Sequence, residues 1–385
     1  MKIVVCDITG RTINYNVALC EAINDELEQG DSLEHWSAGL TKEYPFKTHV
    51  FTSFVPLKYR GSAKPIFRVL KALETLYAYI WIVCKLAFSK IDVFHLQWFP
   101  FITLGTTGSS IDIFFIKLMK AVSPKTKMVY TIHNLCPHKM KEEERAAYNP
   151  VYSKALRLFD EFIVHTERTK DEVVESLRLD ANKIHVVYHG IFNPKDFTFE
   201  PINKLDGKVR IIAFGFHNPY KGTDIFTKAL AELPTTLKER ILVHICGEIS
   251  DSYFEECNAP DVGIDIKWTK VFLPDNKLYQ YINDSDIIVL PYRRISQSGV
   301  LLLALNTRRI IITSDLPTFK ETLKGFPEDA FFKSEDPKDM ARVIADYCNG
   351  NINTQSIMEA IENLNVLYSW SESAKKTIKL YKALV

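Results

Sequence analysis

The chain has 385 residues, 48 of them Lys or Arg against 47 Asp or Glu, and 46% of the whole is hydrophobic. A net charge of +1 leaves no general basic excess, so nucleic acid is not expected as a partner. The length suits about two or three domains of ordinary soluble composition rather than a single core.

The opening MKIVVCDITG reads as a strand over 2–6. It lacks the charged start, apolar middle and small-residue cleavage site of a secretory signal, so a cytoplasmic location is expected. Short β-branched and aromatic runs follow at 48–54, 91–96, 127–132, 161–165 and 183–188, then at 209–214, 240–246, 264–268, 286–291 and 309–313. Runs that are apolar on both faces and separated by helix-length segments read as parallel strands joined by right-handed crossovers. The expected fold is α/β, with two doubly wound Rossmann-like domains facing a central cleft. The break falls in a polar, proline-containing stretch, giving a first domain over 1–193, a linker over 194–208 and a second domain over 209–368. Residues 369–385 read as a terminal helix, with Ala374, Ile378, Leu380 and Tyr381 at helical spacing.

Lys58–Lys90 carries Lys58, Arg60, Lys64, Arg68, Lys71, Lys85 and Lys90 against one acid, Glu74, with Tyr77, Ile80, Trp81 and Cys84 at 3–4 residue spacing. Basic residues beside such a stripe suit an interfacial helix on anionic lipid. An ordinary helix packing that stripe into the first domain is the other reading. The apolar stretch Leu76–Cys84 is stopped by Lys85, well short of the ~18 residues that span a bilayer. The seven cysteines are scattered without metal-ligand spacing and read mainly as buried thiols.

Chemistry is expected in loops after strands, because open α/β sheets bind ligands beyond their carboxyl ends. Phe214–Gly222 follows the first strand of the second domain: Gly215 ends the strand, and Lys221-Gly222 precedes the helical stretch Thr223–Leu233. A glycine lets a ligand approach the backbone, and a lysine there can reach anionic oxygens. A plain strand-helix turn with a solvated lysine has the same spacing. In Leu290–Val300, Ser298 or Ser296 can cap the next helix and leave the Gly299 and Val300 amides facing an anion; a plain capped helix is again the bland reading. Tyr130–His138 puts His133, Asn134 and His138 at a strand end, where structure and function are evenly matched. His165 and His189 read more as structural. No DxD-like acidic pair ends a strand in these loops, so neither metal nor cofactor is expected.

In order and spacing these segments resemble the GT-B glycosyltransferases, specifically family 4 and its bacterial polysaccharide-assembly members, over nearly the whole chain. Phe214–Gly222 is similar to that family's GRxxPYKG donor loop, Leu290–Ala304 to a PYRxxxQSGVxxxA element, Asp315–Glu321 to GxPE and Thr131–His138 to THNxxPH. Tyr368-Ser369-Trp370 and the helix after it resemble the family's closing segment, which crosses back to the first domain. The resemblance implies transfer of a sugar from a nucleoside diphosphate sugar to a glycan or lipid-linked acceptor, with a retaining outcome, in surface polysaccharide assembly.

By the same resemblance Lys221 binds the donor diphosphate, the Gly299 and Val300 amides hold a phosphate with Ser298 as the cap, and Gly215, Phe216, Tyr292, Ser296 and Gln297 belong to the donor site. Gly247, Glu248 and Glu321 lie near the nucleotide, Phe272 flanks the base, and His133 lies beside the transferred sugar. Gly10 and Arg11 face the diphosphate or the acceptor, and the basic stripe read above puts Lys64, Arg68, Lys71 and Trp81 on the acceptor or membrane side, with Arg11. Phe216 stands where the family has arginine, and Ser296 and Ala304 stand where it has the paired glutamates of E-x7-E. Two rivals remain open, a nucleotide-sugar 2-epimerase of the same fold and a donor-binding protein without catalysis.

Overall fold

The computed structural model describes residues 1–39, 43–51, 65–102, 108–136, 140, 142–191, 197–200, 207–295 and 298–385. The chain divides into two units, Met1–Gly190 with Tyr368–Val385, and Ile191–Leu367.

In the first unit the order is β1 (Lys2–Asp7), α1 (Ile13–Glu26), β2 (Ser32–Ala38), β3 (Lys47–Phe51), α2 (Pro65–Phe88), β4 (Val93–Leu96), α3 (Ser109–Val122), β5 (Lys127–Thr131), α4 (Glu142–Leu156), β6 (Glu161–Val164), α5 (Glu167–Leu177) and β7 (Ile184–Val186). The strands form one parallel sheet in the order β3-β2-β1-β4-β5-β6-β7. The second unit runs β8 (Val209–Phe214), α6 (Thr223–Glu232), α7 (Thr235–Lys238), β9 (Ile241–Cys246), α8 (Asp251–Asn258), β10 (Ile266–Thr269), α9 (Asp275–Asn283), β11 (Ile287–Leu290), α10 (Gly299–Leu305), β12 (Ile310–Ser314), α11 (Pro317–Thr322), β13 (Phe331–Phe332), α12 (Pro337–Cys348) and α13 (Thr354–Leu367). Its parallel sheet has the order β10-β9-β8-β11-β12-β13. The strand order reverses between β1 and β4 and between β8 and β11. Those switch points are where such sheets bind ligands.

The last helix, α14 (Trp370–Leu384), belongs to the first unit and packs along α1. Ser371 Oγ donates to Glu26 at 2.6 Å, and the Tyr381 hydroxyl meets His95 Nδ1 at 2.6 Å. A β-carbon at Gly190 would stand 2.2 Å from the Trp370 ring, so only glycine lets the helix seat there.

Each expected strand is present; two further strands, β2 and β13, were not foreseen. β2, SLEHWSA, lacks an apolar run, yet Glu34, His35 and Ser37 are buried in it. Burial alone would raise the Glu34 pKa. Hydrogen bonds from Trp36, Lys47 and Lys2 instead bring it to about 2. A buried charge is tolerated here because it is paired. The stretch expected as a linker is partly packed, with Phe199 buried and both it and Phe197 against Tyr279.

The α2 stripe is the clearest correction to the helix-packing reading. The core face is Ala78, Tyr79, Ile82 and Leu86. Ile66, Val69, Leu73, Tyr77, Ile80 and Phe88 lie exposed on the other side, with Cys84 among them. Burying Tyr79, Ile82 and Leu86 contributes about 1.5–3 kcal/mol each, which selects that face for the core. Trp81, expected on the membrane side, is also corrected. It stacks on His49 at 3.7 Å and meets Trp36 edge-on at 4.8 Å, within the aromatic core.

Candidate active site

In the second unit β8 ends at Phe214, and the chain turns at Gly215 with φ 107°. The loop is pinned by His217, whose Nε2 donates to the Cys246 carbonyl at 3.1 Å and whose Nδ1 meets the Thr223 hydroxyl at 2.9 Å. Burial holds that imidazole neutral, with a pKa of about 4. A 3-10 turn, Pro219–Lys221, then presents Lys221, and Gly222 (φ 68°) leads into α6. A β-carbon on Gly222 would lie 1.9 Å from the Pro291 carbonyl oxygen, so this turn is pressed against the loop that follows β11.

Arg293 fastens the two loops together. Its guanidinium grips the buried Asp224 carboxylate with two bonds of 2.8 and 2.7 Å, and its backbone amide donates to the Tyr220 carbonyl at 2.8 Å. Tyr253 Oη and Lys228 Nζ complete the Asp224 shell at 2.8 and 3.1 Å. Burial would raise the Asp224 pKa, but the bonds from Arg293, Tyr253 and Lys228 hold it well below the usual carboxylate range. This bidentate geometry is specific to arginine.

So held, Lys221 has an ammonium for which no ion pair is recorded among the described residues, and burial lowers its pKa to about 8. Its Nζ lies 5.4 Å from the Tyr292 ring centre. A β-carbon on Gly215 would be 3.0 Å from that Nζ and 3.2 Å from a Val300 methyl, so Gly215, Lys221 and Val300 converge. Ser298 Oγ caps α10 by accepting from the Leu301 amide at 3.1 Å, and an added β-carbon on Gly299 would meet only open space. α10 has only seven residues, so Lys221 is the larger positive feature.

Beside Gly215 opens a pocket of about 140 Å³, lined by Gly215, Phe216, Gly247, Glu248, Phe272 and Leu278 among others. Five expected donor residues are thus gathered in one place. Glu321, on α11 after β12, does not line it. Ser296 and Gln297 lie outside the described residues, as do Lys64, Pro137 and His138.

In the first unit Asp7 ties down the loop after β1, accepting from the amides of Thr9, Gly10 and Thr12 at 3.1, 3.0 and 3.2 Å. Gly10 (φ 63°) is required there, since a β-carbon would fall 2.4 Å from the Ala38 carbonyl oxygen. Arg11 sits over the Trp98 ring at 5.7 Å, and His133 stacks on the same ring at 4.9 Å. The His165 Nδ1 proton goes to the Val187 carbonyl at 2.9 Å, and its Nε2 lies 3.3 Å from His133 Nδ1. His133 Nε2 donates to the side-chain oxygen of the buried Gln97 at 2.9 Å. Both ring nitrogens of His133 therefore point into the protein. Burial, then the neighbouring His165, His189 and His95, keep it neutral, well below its ordinary pKa.

On α2, Arg68 is exposed and Lys71 half-buried. Among the described residues, no helix is long and apolar enough to cross a membrane, and no three His, Cys, Asp or Glu side chains are placed to hold a metal ion. The cysteines are free; Cys6, Cys20, Cys246 and Cys257 are buried, but Cys84 is exposed, against expectation. Sequence reasoning missed Asp224, Gln97 and Trp98. Nothing marks them individually, because their partners are far away along the chain. The adjacent Arg293-Arg294 pair in a cleft loop was the one legible hint of the clamp.

Comparison with known proteins gives the same outline. Residues 35–192 match the family described as Glycosyltransferase Family 4, and residues 194–363 the family described as Glycosyl transferases group 1. A GDP-mannose:glycolipid 4-beta-D-mannosyltransferase of Xanthomonas campestris pv. campestris is 26% identical over 237 residues, which cover 58% of this chain and 61% of that protein. The match thus spans less than two thirds of the relative's length. A sucrose-phosphate synthase from Thermosynechococcus elongatus superposes with a TM-score of 0.68 at 14% identity, covering 100% of this chain and 99% of the other. Anabaena HepE, solved in complex with UDP and glucose, gives 0.64 at 12% identity, with 100% of both chains covered.

Proposed function

Because the chain belongs to the GT-B glycosyltransferases, family 4 and group 1 halves in sequence, we propose that it transfers a sugar from a nucleoside diphosphate sugar to a glycan or lipid-linked acceptor in surface polysaccharide assembly. The observation that carries this reading is Lys221, a desolvated ammonium without a recorded ion pair, held beside the bare backbone of Gly215. When the bond between sugar and diphosphate breaks, negative charge grows on the leaving oxygens. A fixed cation there stabilises the transition state more than the ground state. The Gly299 and Val300 amides at the start of α10 add to it.

In the retaining version the departing diphosphate takes the acceptor hydroxyl's proton, and no protein base is required. The inward bonds of both His133 nitrogens support that version, with His133 placing the sugar end rather than accepting the proton. Inversion is the second reading, favoured by the β-linkage in the Xanthomonas relative's name if the donor is an α-linked glycosyl diphosphate. His133 would then have to turn its unprotonated nitrogen away from its inward partner to act as base. The anomeric signal of the product, read by NMR, separates the two.

The acceptor end is assigned to the first unit, and a lipid-linked acceptor suits a peripheral contact with anionic membrane through α2, where Arg68 and Lys71 lie. The reading is tested by a thermal-shift panel of nucleoside diphosphates and their sugars. A ligand that binds only the folded state raises the melting temperature. At least one nucleotide is expected to do so, and Lys221→Ala is expected to abolish the effect. No shift in the wild type, or an undiminished shift in Lys221→Ala, overturns the assignment. Incubating a bound donor with and without membranes then separates transfer from epimerisation, which needs no acceptor.

A further inference from the structure

The pocket beside Gly215 is built from unlike parts. Its floor is bare backbone: Gly247, at φ 132°, lies so close that a β-carbon there would stand 1.9 Å from the Gly215 carbonyl oxygen. Two strand ends meet there through glycines. The walls are the rings of Phe216 and Phe272, both exposed, with Leu273 and Leu278. Flat apolar walls over an open floor fit a planar ring. Besides the buried thiol of Cys246, the pocket is lined by one carboxylate, Glu248, and it is exposed. Its backbone carbonyl accepts from the His217 amide at 2.7 Å, but no ion pair or side-chain hydrogen bond is recorded for its carboxylate among the described residues.

We propose that this pocket takes a guanine base and that Glu248 selects it, so that the donor is a guanosine diphosphate sugar. This rests on the proposed function, because the diphosphate at Lys221 fixes which end of the nucleotide enters the pocket. Gly215 joins the two regions, lining the pocket and standing next to the lysine ammonium.

The selection follows from the chemistry of a carboxylate, which accepts hydrogen bonds and donates none. Guanine alone among the common bases offers two adjacent donors on one edge, the ring N1–H and the 2-amino group. Both carboxylate oxygens can be engaged at once, the strong charge-assisted bidentate arrangement. Uracil and thymine offer one N3–H between two carbonyl oxygens, and those oxygens repel a carboxylate. Adenine and cytosine each place a ring-nitrogen acceptor beside their single amino donor. An unmatched acceptor facing a carboxylate costs affinity.

The experiment titrates the full chain with GDP, IDP and UDP by calorimetry, in wild type and in Glu248→Gln. IDP keeps N1–H and lacks only the 2-amino group. Wild type is expected to bind GDP at least tenfold more tightly than UDP, with IDP between them. In Glu248→Gln the GDP-to-UDP preference is expected to collapse towards unity, with UDP binding unchanged or improved. Because Glu248 is exposed, the variant is expected to fold, and the wild-type ranking stands as a test without it. UDP binding as tightly as GDP to wild type, or an unchanged preference in Glu248→Gln, overturns the guanine assignment while leaving the donor site intact. Failure of all three nucleotides to bind overturns the donor-site reading as well.

Discussion

Lys221 and Gly215 are locked in one geometry: the lysine Nζ stands 3.0 Å from the place a β-carbon on Gly215 would occupy. The far end of a lysine can move aside, so Gly215→Ala displaces the ammonium rather than breaking the fold. The left-handed φ of 107° adds strain of order 1–3 kcal/mol. The expected outcome is a loss of nucleoside diphosphate affinity of about tenfold or more with a modest fall in melting temperature. Gly247→Ala differs, because its new β-carbon meets the Gly215 backbone oxygen at 1.9 Å, which cannot swing away. A larger fall in melting temperature is expected there, read by calorimetry. Equal thermal effects in both variants would contradict the geometry.

The lowered pKa of Lys221 has two consequences of opposite sign. In the folded chain the group titrates near 8, and in the unfolded chain near 10.4. Between those values the unfolded state holds more protons, so this group makes the ligand-free protein more stable as pH rises from 8 towards 10. Diphosphate binding needs the protonated form, so affinity falls above pH 8, by at most about tenfold per pH unit for one proton. Calorimetric titration across pH 7–10 checks this. In Lys221→Arg the decline in affinity should vanish, because arginine stays charged throughout.

Arg293 and Asp224 hold the Lys221 turn against the loop that leads to Ser298. Arg293→Lys keeps the charge and loses the fork. The expected outcome is a rise of about tenfold in the donor KM with a smaller change in kcat, since the turn loosens while the residues facing the donor remain. A uniform loss of active protein with unchanged donor KM would reduce Arg293 to a stabilising role.

The strand runs from β3 to β12 and the Gly215–Lys221 loop were legible because each is written in consecutive residues. β2 was not: a strand carrying Glu34, His35 and Ser37 reads as polar, and its burial depends on Lys2 and Lys47 from neighbouring strands. The face of α2 was illegible for the opposite reason. Nearly every position is apolar, so periodicity permits either side, and only packing chooses Tyr79 and Ile82 over Tyr77 and Ile80. The inward bonds of His133 also escape sequence reasoning, because Gln97 and His165 are each more than thirty residues away.

That histidine layer makes the fold sensitive to acid. Burial brings His95 and His165 to about 3, and His35, His217 and His244 to about 4. The unfolded value is near 6.5, so the stability these neutral rings contribute is complete above that pH and is lost as pH falls from 6.5 towards 3. The expected outcome is a melting temperature that drops steeply below pH 6.5. His165→Gln should flatten the acid limb. It should also lower the melting temperature at pH 8, because the Val187 carbonyl and His133 Nδ1 lose their partner, at about 1–3 kcal/mol for a buried group left unpaired.

The exposed stripe on α2 gives the membrane reading a concrete test. Ile66, Val69, Leu73, Tyr77, Ile80, Cys84 and Phe88 recur at intervals of three or four, which places them along one side of a 24-residue helix. A row of that length would leave a large apolar surface in water, and such surfaces mark interaction sites. Arg68 and Lys85 accompany it, and each cation near an anionic surface is worth about 1 kcal/mol. Cosedimentation with phosphatidylglycerol-containing vesicles is expected for the wild type, weakening with salt. Leu73→Glu with Ile80→Glu should abolish it even at low salt, whereas Arg68→Glu should weaken it mainly at low salt, where the charge term is largest. Both positions of the double variant are already exposed, so folding and nucleotide binding should persist. Vesicle binding that survives the double variant would mean that this stripe is not the contact, and that the basic residues act from another surface.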